Sequence, residues 1–439
     1  MKYIWGSLLG GILGLGFINA FIIRFGRAAD FFVIFHIILT LALLYRYKPG
    51  LREILIFAFL ARVALMYWDV YFRNVLMIPH SGLDDGMFFS FAEQVSRDLS
   101  LLWQNIRGGY FSKIIGTMFS LTGVSAVLGR YINVLLGLSV VIVVHKITVL
   151  LRLKPSSRKT VLYFSSFLPN SIMLSAVFLR EIFPTFFVAV SLYFFIRWFY
   201  KPRNQDMVLS LVMLAFASMF HSGVIGIFVG YAFAFLFYKH RIRRFRLSPR
   251  TVLSFIILAA TAYLAATVFA EQLFGQFINA DIYETTNYRF GESAYLVNLQ
   301  INSLWQFLLY TPIRMLYFLI APMPWDWRGG ADIFTFVMDS TLYLYVSVML
   351  FRNRKLFGQR KPLITAIMLM LFGAVVIFGV GVNNTGTAIR HRQKLIPIFL
   401  VSMGILIDRS SNIRFNSASY QHRVYPDDTG TNPGGNELR

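Results

Sequence analysis

The chain has 439 residues, of which 57% are hydrophobic and only 14% charged, with no cysteine and a formal net charge of +22. Soluble domains run nearer a quarter charged, so water is not the main solvent of this chain. The missing cysteines exclude disulfides, thiolate metal sites and cysteine nucleophiles. Positive charge on this scale would suit nucleic acid, but the lysines and arginines sit in short loops between apolar segments, so no nucleic-acid partner is expected.

Apolar stretches of bilayer-spanning length recur almost to position 407. Without a barrel's alternation only helices hide that much backbone from lipid, so the expected fold class is all-α, a polytopic integral membrane protein. Spans are predicted near 4–23, 30–46, 53–70, 131–151, 160–178, 182–199, 207–220, 222–238, 251–270, 333–351, 363–381 and 391–407, about twelve in all. The first lacks a small-residue cleavage site and reads as a retained helix. Arg46/Lys48/Arg52, Arg152/Lys154/Arg158/Lys159, Lys201/Arg203, the run from Lys239 to Arg250, and Arg352/Arg354/Lys355/Arg360/Lys361 fill alternate loops. Placed inside, they put both termini in the cytoplasm, with Arg24 and Arg27 as the one exception in the first outer turn.

The segment 305–325, WQFLLYTPIRMLYFLIAPMPW, carries Pro312 and Arg314 at its middle. Counted as a full span it would reverse the loop 352–361, so a re-entrant or interfacial element with a broken backbone and both ends outside is expected. The short spans 207–220 and 222–238, interrupted by His221, are expected to be tilted or broken. Residues 1–409 then form a single transmembrane domain with long outer loops 71–130 and 271–332. The polar stretch 410–439 is expected to be a disordered cytoplasmic tail.

Most polar residues of interest fall on the outer side. In HSGLDDGMFFSFAEQVSRD the neighbours Asp84 and Asp85 suit a general base or a cationic ligand, a divalent cation included, although one could equally cap the following helix. In FLPNSIMLSAVFLREIFPTF, Arg180 and Glu181 stand between two apolar spans and either brace the helices or let Arg180 hold a phosphate. In VNNTGTAIRHRQKLIPIF, Arg390, His391, Arg392 and Lys394 put positive charge on the wrong side of the membrane. A substrate phosphate explains that, since guanidinium forks match its oxygens; lipid head groups are the alternative.

His221 in MFHSGVIG is either a hydrogen-bonded structural residue or a substrate contact. Arg314, Asp326 and Arg328 are candidates for an acceptor groove, and Trp305, Trp325 and Trp327 for sugar stacking or interfacial anchoring. Tyr283, Tyr288, Arg289 and Glu292 in the second long loop are not separable. No G-x-x-x-x-G-K-[ST], H-E-x-x-H or G-x-S-x-G occurs, which removes support for an ATP-driven pump, a zinc protease and an α/β-hydrolase.

The order of these features resembles the GT-C superfamily of membrane glycosyltransferases, of the dolichyl-phosphate-mannose and aminoarabinose transferase type. The resemblance rests on the acidic pair opening an outer loop, the FAEQ helix, GGYFSKIIGTMFSLTGVSAVLGRYINVLLG, a span ending at Pro169 with Ser175 and Glu181 beyond, and the final Arg-His-Arg before Pro397. It covers roughly 80–200 and that last motif. Such enzymes usually present the acidic loop after the first span, and here two further spans precede it.

The resemblance implies a polyprenyl-phosphate-linked sugar as donor, a glycan or lipid acceptor, and cell-envelope synthesis at a bacterial plasma membrane. Asp84 or Asp85 would take the acceptor proton, and the arginines at 180 and 390–392 would hold the departing phosphate. An O-antigen-type polymerase or ligase, or a lipid-linked glycan flippase, are the other readings. A flippase should show inverted repeats, and none is visible.

Overall fold

A computed structural model describes residues 1–21, 28–246, 293–353 and 357–408, with Pro249 and Leu253. Of the described residues 79% are helical. The first half holds α1 (Lys2–Phe21), α2 (Ala28–Tyr45), α3 (Leu51–Tyr71), α4 (Leu83–Arg97), α5 (Gly109–Thr122), α6 (Ala126–Leu150), α7 (Pro155–Phe167), α8 (Pro169–Ala176) and α9 (Ile182–Tyr200). There follow α10 (Asn204–Phe220), a 3-10 segment Ser222–Ile227, and α11 (Phe228–Phe237) with a two-residue hairpin, Tyr238–Lys239 against Arg244–Phe245. The second half holds α12 (Leu304–Ile320), α13 (Gly330–Thr335), a π turn Phe336–Ser340, α14 (Thr341–Arg352), α15 (Lys361–Gly381), α16 (Thr385–Arg392) and α17 (Ile396–Ile407).

Among the described residues six helices are long and apolar enough to cross a membrane: α2, α3, α6, α9, the unit from Gly330 to Arg352, and α15. The helices Asn204–Phe220 and Ser222–Phe237 are apolar but shorter. Helix α6 is apolar all round and nearly all buried, packed by α3, α7, α8 and α9, as a central helix must be.

The expected span 160–178 is two helices. Pro169 has no N–H and forces Leu168 out of helical geometry, so the chain breaks between α7 and α8. The fully buried Arg62 answers the break from α3: Nη1 donates to the carbonyl of Ser166 (3.0 Å) and Nε to Ser175 Oγ (3.1 Å). A cation at a helix C-terminus also complements the helix dipole.

Pro312 does not break the backbone, contrary to expectation, because α12 runs through it as one helix to Ile320. The break comes at Ala321. There the end of α12 lies against the middle of the Gly330–Arg352 unit, Ser340 Oγ donating to the Ala321 carbonyl (3.2 Å), while Arg314, about two turns earlier, meets Asn383 just past the end of α15. The chain does break at His221, where α10 ends and the 3-10 segment begins.

Among the described residues loops meet at each end of the bundle. At one end Arg360 donates to Asp408 (3.0 Å) and to the Leu151 carbonyl (3.5 Å), joining three basic or terminal regions. At the opposite end Asn19 donates to the Leu121 carbonyl (3.1 Å), Ser125 to Asp30, and Ala294 pairs with Asn384. Arg24 and Arg27, the expected span 251–270, Tyr283, Tyr288, Arg289, Glu292 and the tail 410–439 lie outside the described residues.

Candidate functional site

The start of α4 separates the two adjacent aspartates. Asp85, three positions into the cap, accepts the Gly82 N–H (2.7 Å), and Gly82 sits at φ 137°, a conformation that favours glycine. Asp85 is buried and also meets Arg73 and Arg130 Nη2 (3.5 Å). Asp69 of α3 closes the network, accepting from Arg130 Nε (2.7 Å), Arg73 Nη2 (2.9 Å) and Ser81 Oγ (2.6 Å). Two carboxylates against two guanidinium groups, with further hydrogen bonds, is the arrangement in which buried charge is tolerated. Asp84, about a hundred degrees round the helix, leaves this network: its side chain is 45% exposed and its cation is Arg390, 306 residues away.

Residues 177–181 are unwound between α8 and α9. Asn133 of α6, fully buried, donates through Nδ2 to the carbonyls of Val177 (2.8 Å) and Leu179 (2.8 Å), which fixes the turn that carries Arg180 and Glu181. Arg180 lies over the Phe88 ring (5.4 Å) and beside Gly109. Its Nε has no hydrogen bond, and among the described residues no carboxylate lies within ion-pair distance. Glu181 is buried; Oε1 is 4.0 Å from Lys394 Nζ, Oε2 has no hydrogen-bond partner, and Lys394, Arg390 and Arg180 are the charges acting on it.

The third element of the site is the helix α16. Asn384 caps it through Oδ1 to the Thr387 N–H (3.2 Å), and its last turn holds Arg390, His391 and Arg392, where the dipole favours cations. His391 Nδ1 lies 2.9 Å from Lys394 Nζ, within hydrogen-bond distance. The His221 ring stands edge-on to it at 4.1 Å, its Nδ1 accepting from the Gly223 N–H (3.3 Å). Ser171 and Gln393 exchange hydrogen bonds (2.8 and 3.0 Å) and tie α8 to the floor of the cluster.

His80 was not singled out in the sequence, yet it belongs here. It is half-buried in the loop before α4, its backbone lies at φ 72°, and Asn170, Arg390 and Glu181 act on its ring. Burial first, and then the Arg390 charge, push its imidazole down to about 4. Asn133 and Arg62 were also missed; a polar residue inside an apolar span was the signal that could have found them.

Asp84, Arg180, Glu181, His221, Arg390 and His391 therefore come together, joined by His80 and Lys394. Arg392 does not face them. It is fully buried on the other side of α16, donating to the Leu319 carbonyl (2.7 Å) and Ser340 Oγ (3.3 Å), 3.9 Å from Asp339. Arg314 engages Asn383, Arg328 pairs with Asp332 (3.1 Å), and Trp305 and Trp325 are exposed. Each aspartate of the acidic pair faces an arginine, Asp84 meeting Arg390 and Asp85 meeting Arg73. Among the described residues no group of three or more His, Asp or Glu side chains could hold a metal.

Comparison with protein families, curated proteins and solved structures finds no match for this chain.

Proposed function

We propose that the chain is a membrane glycosyltransferase that moves a sugar from a polyprenyl-phosphate-linked donor to a glycan or lipid acceptor at the outer face of a bacterial plasma membrane. About twelve spans, with both termini cytoplasmic, belong to the same reading. One observation carries it: elements far apart in sequence bring three basic side chains, Arg180, Arg390 and Lys394, around the buried Glu181, and Arg390 also meets a half-exposed carboxylate, Asp84, at the end of the bundle away from the basic loops. Such a site fits an anion beside a nucleophile that must lose a proton.

In this mechanism the acceptor hydroxyl oxygen attacks the anomeric carbon while the bond from that carbon to the phosphate oxygen breaks. The phosphate leaves with the electron pair, and Arg180, Arg390 and Lys394 stabilise its growing charge. The hydroxyl proton passes to Asp84. Backside attack inverts the anomeric centre. Asp85 supports the loop rather than the chemistry.

The test is transfer of labelled sugar by purified protein from polyprenyl-phosphate and polyprenyl-diphosphate donors. Loss of transfer in Asp84→Asn, with donor binding retained, supports the reading. No turnover with any lipid-linked donor, together with movement of that lipid across vesicles, replaces it with a flippase.

A further inference from the structure

The two aspartates differ in how firmly they are held, and the difference has a functional meaning. Asp85 is buried, touches two arginines and caps Gly82. Asp84 is half exposed and rests on Arg390 alone among the contacts described for it. Arg390 is itself only 21% exposed at its side chain and also feels Glu181. Arg180 acts on the same neighbours as Arg390, and among the described residues no carboxylate lies within ion-pair distance of it.

A carboxylate on a guanidinium presents the same paired oxygens that a phosphate does. A partly exposed ion pair contributes little net stability, since water and side-chain entropy offset most of the attraction. The phosphodiester of a lipid-linked sugar presents an anionic pair of oxygens to the same guanidinium, and its lipid chain adds apolar burial that the carboxylate lacks, so it displaces the carboxylate readily.

We propose that Asp84 is an internal, displaceable competitor for the phosphate seat at Arg390, so that arrival of the donor phosphate releases Asp84 to act on the acceptor. The inference rests on the function proposed above and adds an order to it: donor first, acceptor second. A carboxylate bound to an arginine is a poor proton acceptor. One freed beside a newly bound phosphate anion is a better one, because the cation that stabilised its charge is now shared. The ion pair thereby keeps the base idle until there is a sugar to transfer.

The experiment measures binding of farnesyl monophosphate to the full-length protein in nanodiscs of neutral lipid, with inorganic phosphate as a second probe. Removing the competitor in Asp84→Asn should tighten farnesyl monophosphate about two- to fivefold, the range expected for breaking one partly exposed ion pair. Arg390→Ala should weaken it tenfold or more. Glu93→Gln, which removes a negative charge elsewhere on α4, should leave it unchanged.

Equal or weaker binding in Asp84→Asn, with wild type binding normally, overturns the gate and leaves the transferase standing. No binding of either probe to wild type overturns both. If competition appears only against phosphatidylglycerol added to the nanodisc, the arginine anchors a lipid head group, and the gate falls.

Discussion

Asp84 and Asp85 are chemically identical neighbours that the helix assigns to different surroundings. Replacing Asp85 by Asn strips one carboxylate from Arg73 and Arg130 in a buried network and should cost about 3 kcal/mol of stability. Asp84→Asn breaks only a half-exposed pair and should change stability by less than about 1 kcal/mol while abolishing transfer. Thermal unfolding in detergent beside the transfer assay checks both; equal destabilisation would mean the two carboxylates share one role.

His80 gives a pH dependence whose sign follows from its environment. Its folded value, about 4, lies below the free value of 6.5, so the unfolded chain takes up the proton first. Stability is full above about 6.5 and falls as the pH drops from there towards 4. His80→Gln should flatten that part of the profile, and an unchanged slope would place the proton uptake elsewhere.

At the scale of elements, the site stands on two breaks in helices. The turn 177–181 depends on Asn133, so Asn133→Leu, which leaves two buried carbonyls without donors, should cost about 2 to 4 kcal/mol and move Arg180. Loss of phosphate binding in excess of the loss of folded protein would show the displacement. The second break, at His221, is held by close backbone contact: a Cβ on Gly226 would lie 2.4 Å from the Gly373 carbonyl oxygen, and one on Gly373 would lie 2.3 Å from that of Gly226. Small residues allow such approach between membrane helices. Gly226→Ala should cost about 1 to 3 kcal/mol and separate His221 from His391, read as lower transfer at unchanged expression.

For the molecule as a whole, the lack of cysteine makes orientation directly measurable. A single cysteine at Trp103, which is 92% exposed between α4 and α5, should react with a membrane-impermeant maleimide added to intact cells. A cysteine at Lys48 should react only after the cells are opened. The reverse pattern would turn the whole bundle over and bring the site to the cytoplasmic face.

The amino-acid sequence determined by itself that the chain is helical and lives in a membrane, since composition and the lengths of apolar runs are local properties that the bilayer reads directly. It also marked Asp84, Arg180, Glu181, His221, Arg390 and His391, because charge near a membrane is costly and therefore conspicuous. Only the tertiary structure decided that Asp84 meets Arg390 while Asp85 meets Arg73, that Arg392 turns away to Leu319 and Asp339, and that Arg62 and Asn133 sustain broken helices. Those assignments depend on which helix faces are opposed after packing. A hundred degrees of helix rotation, invisible in a run of apolar letters, separates a residue that can reach a ligand from its neighbour that holds the fold together.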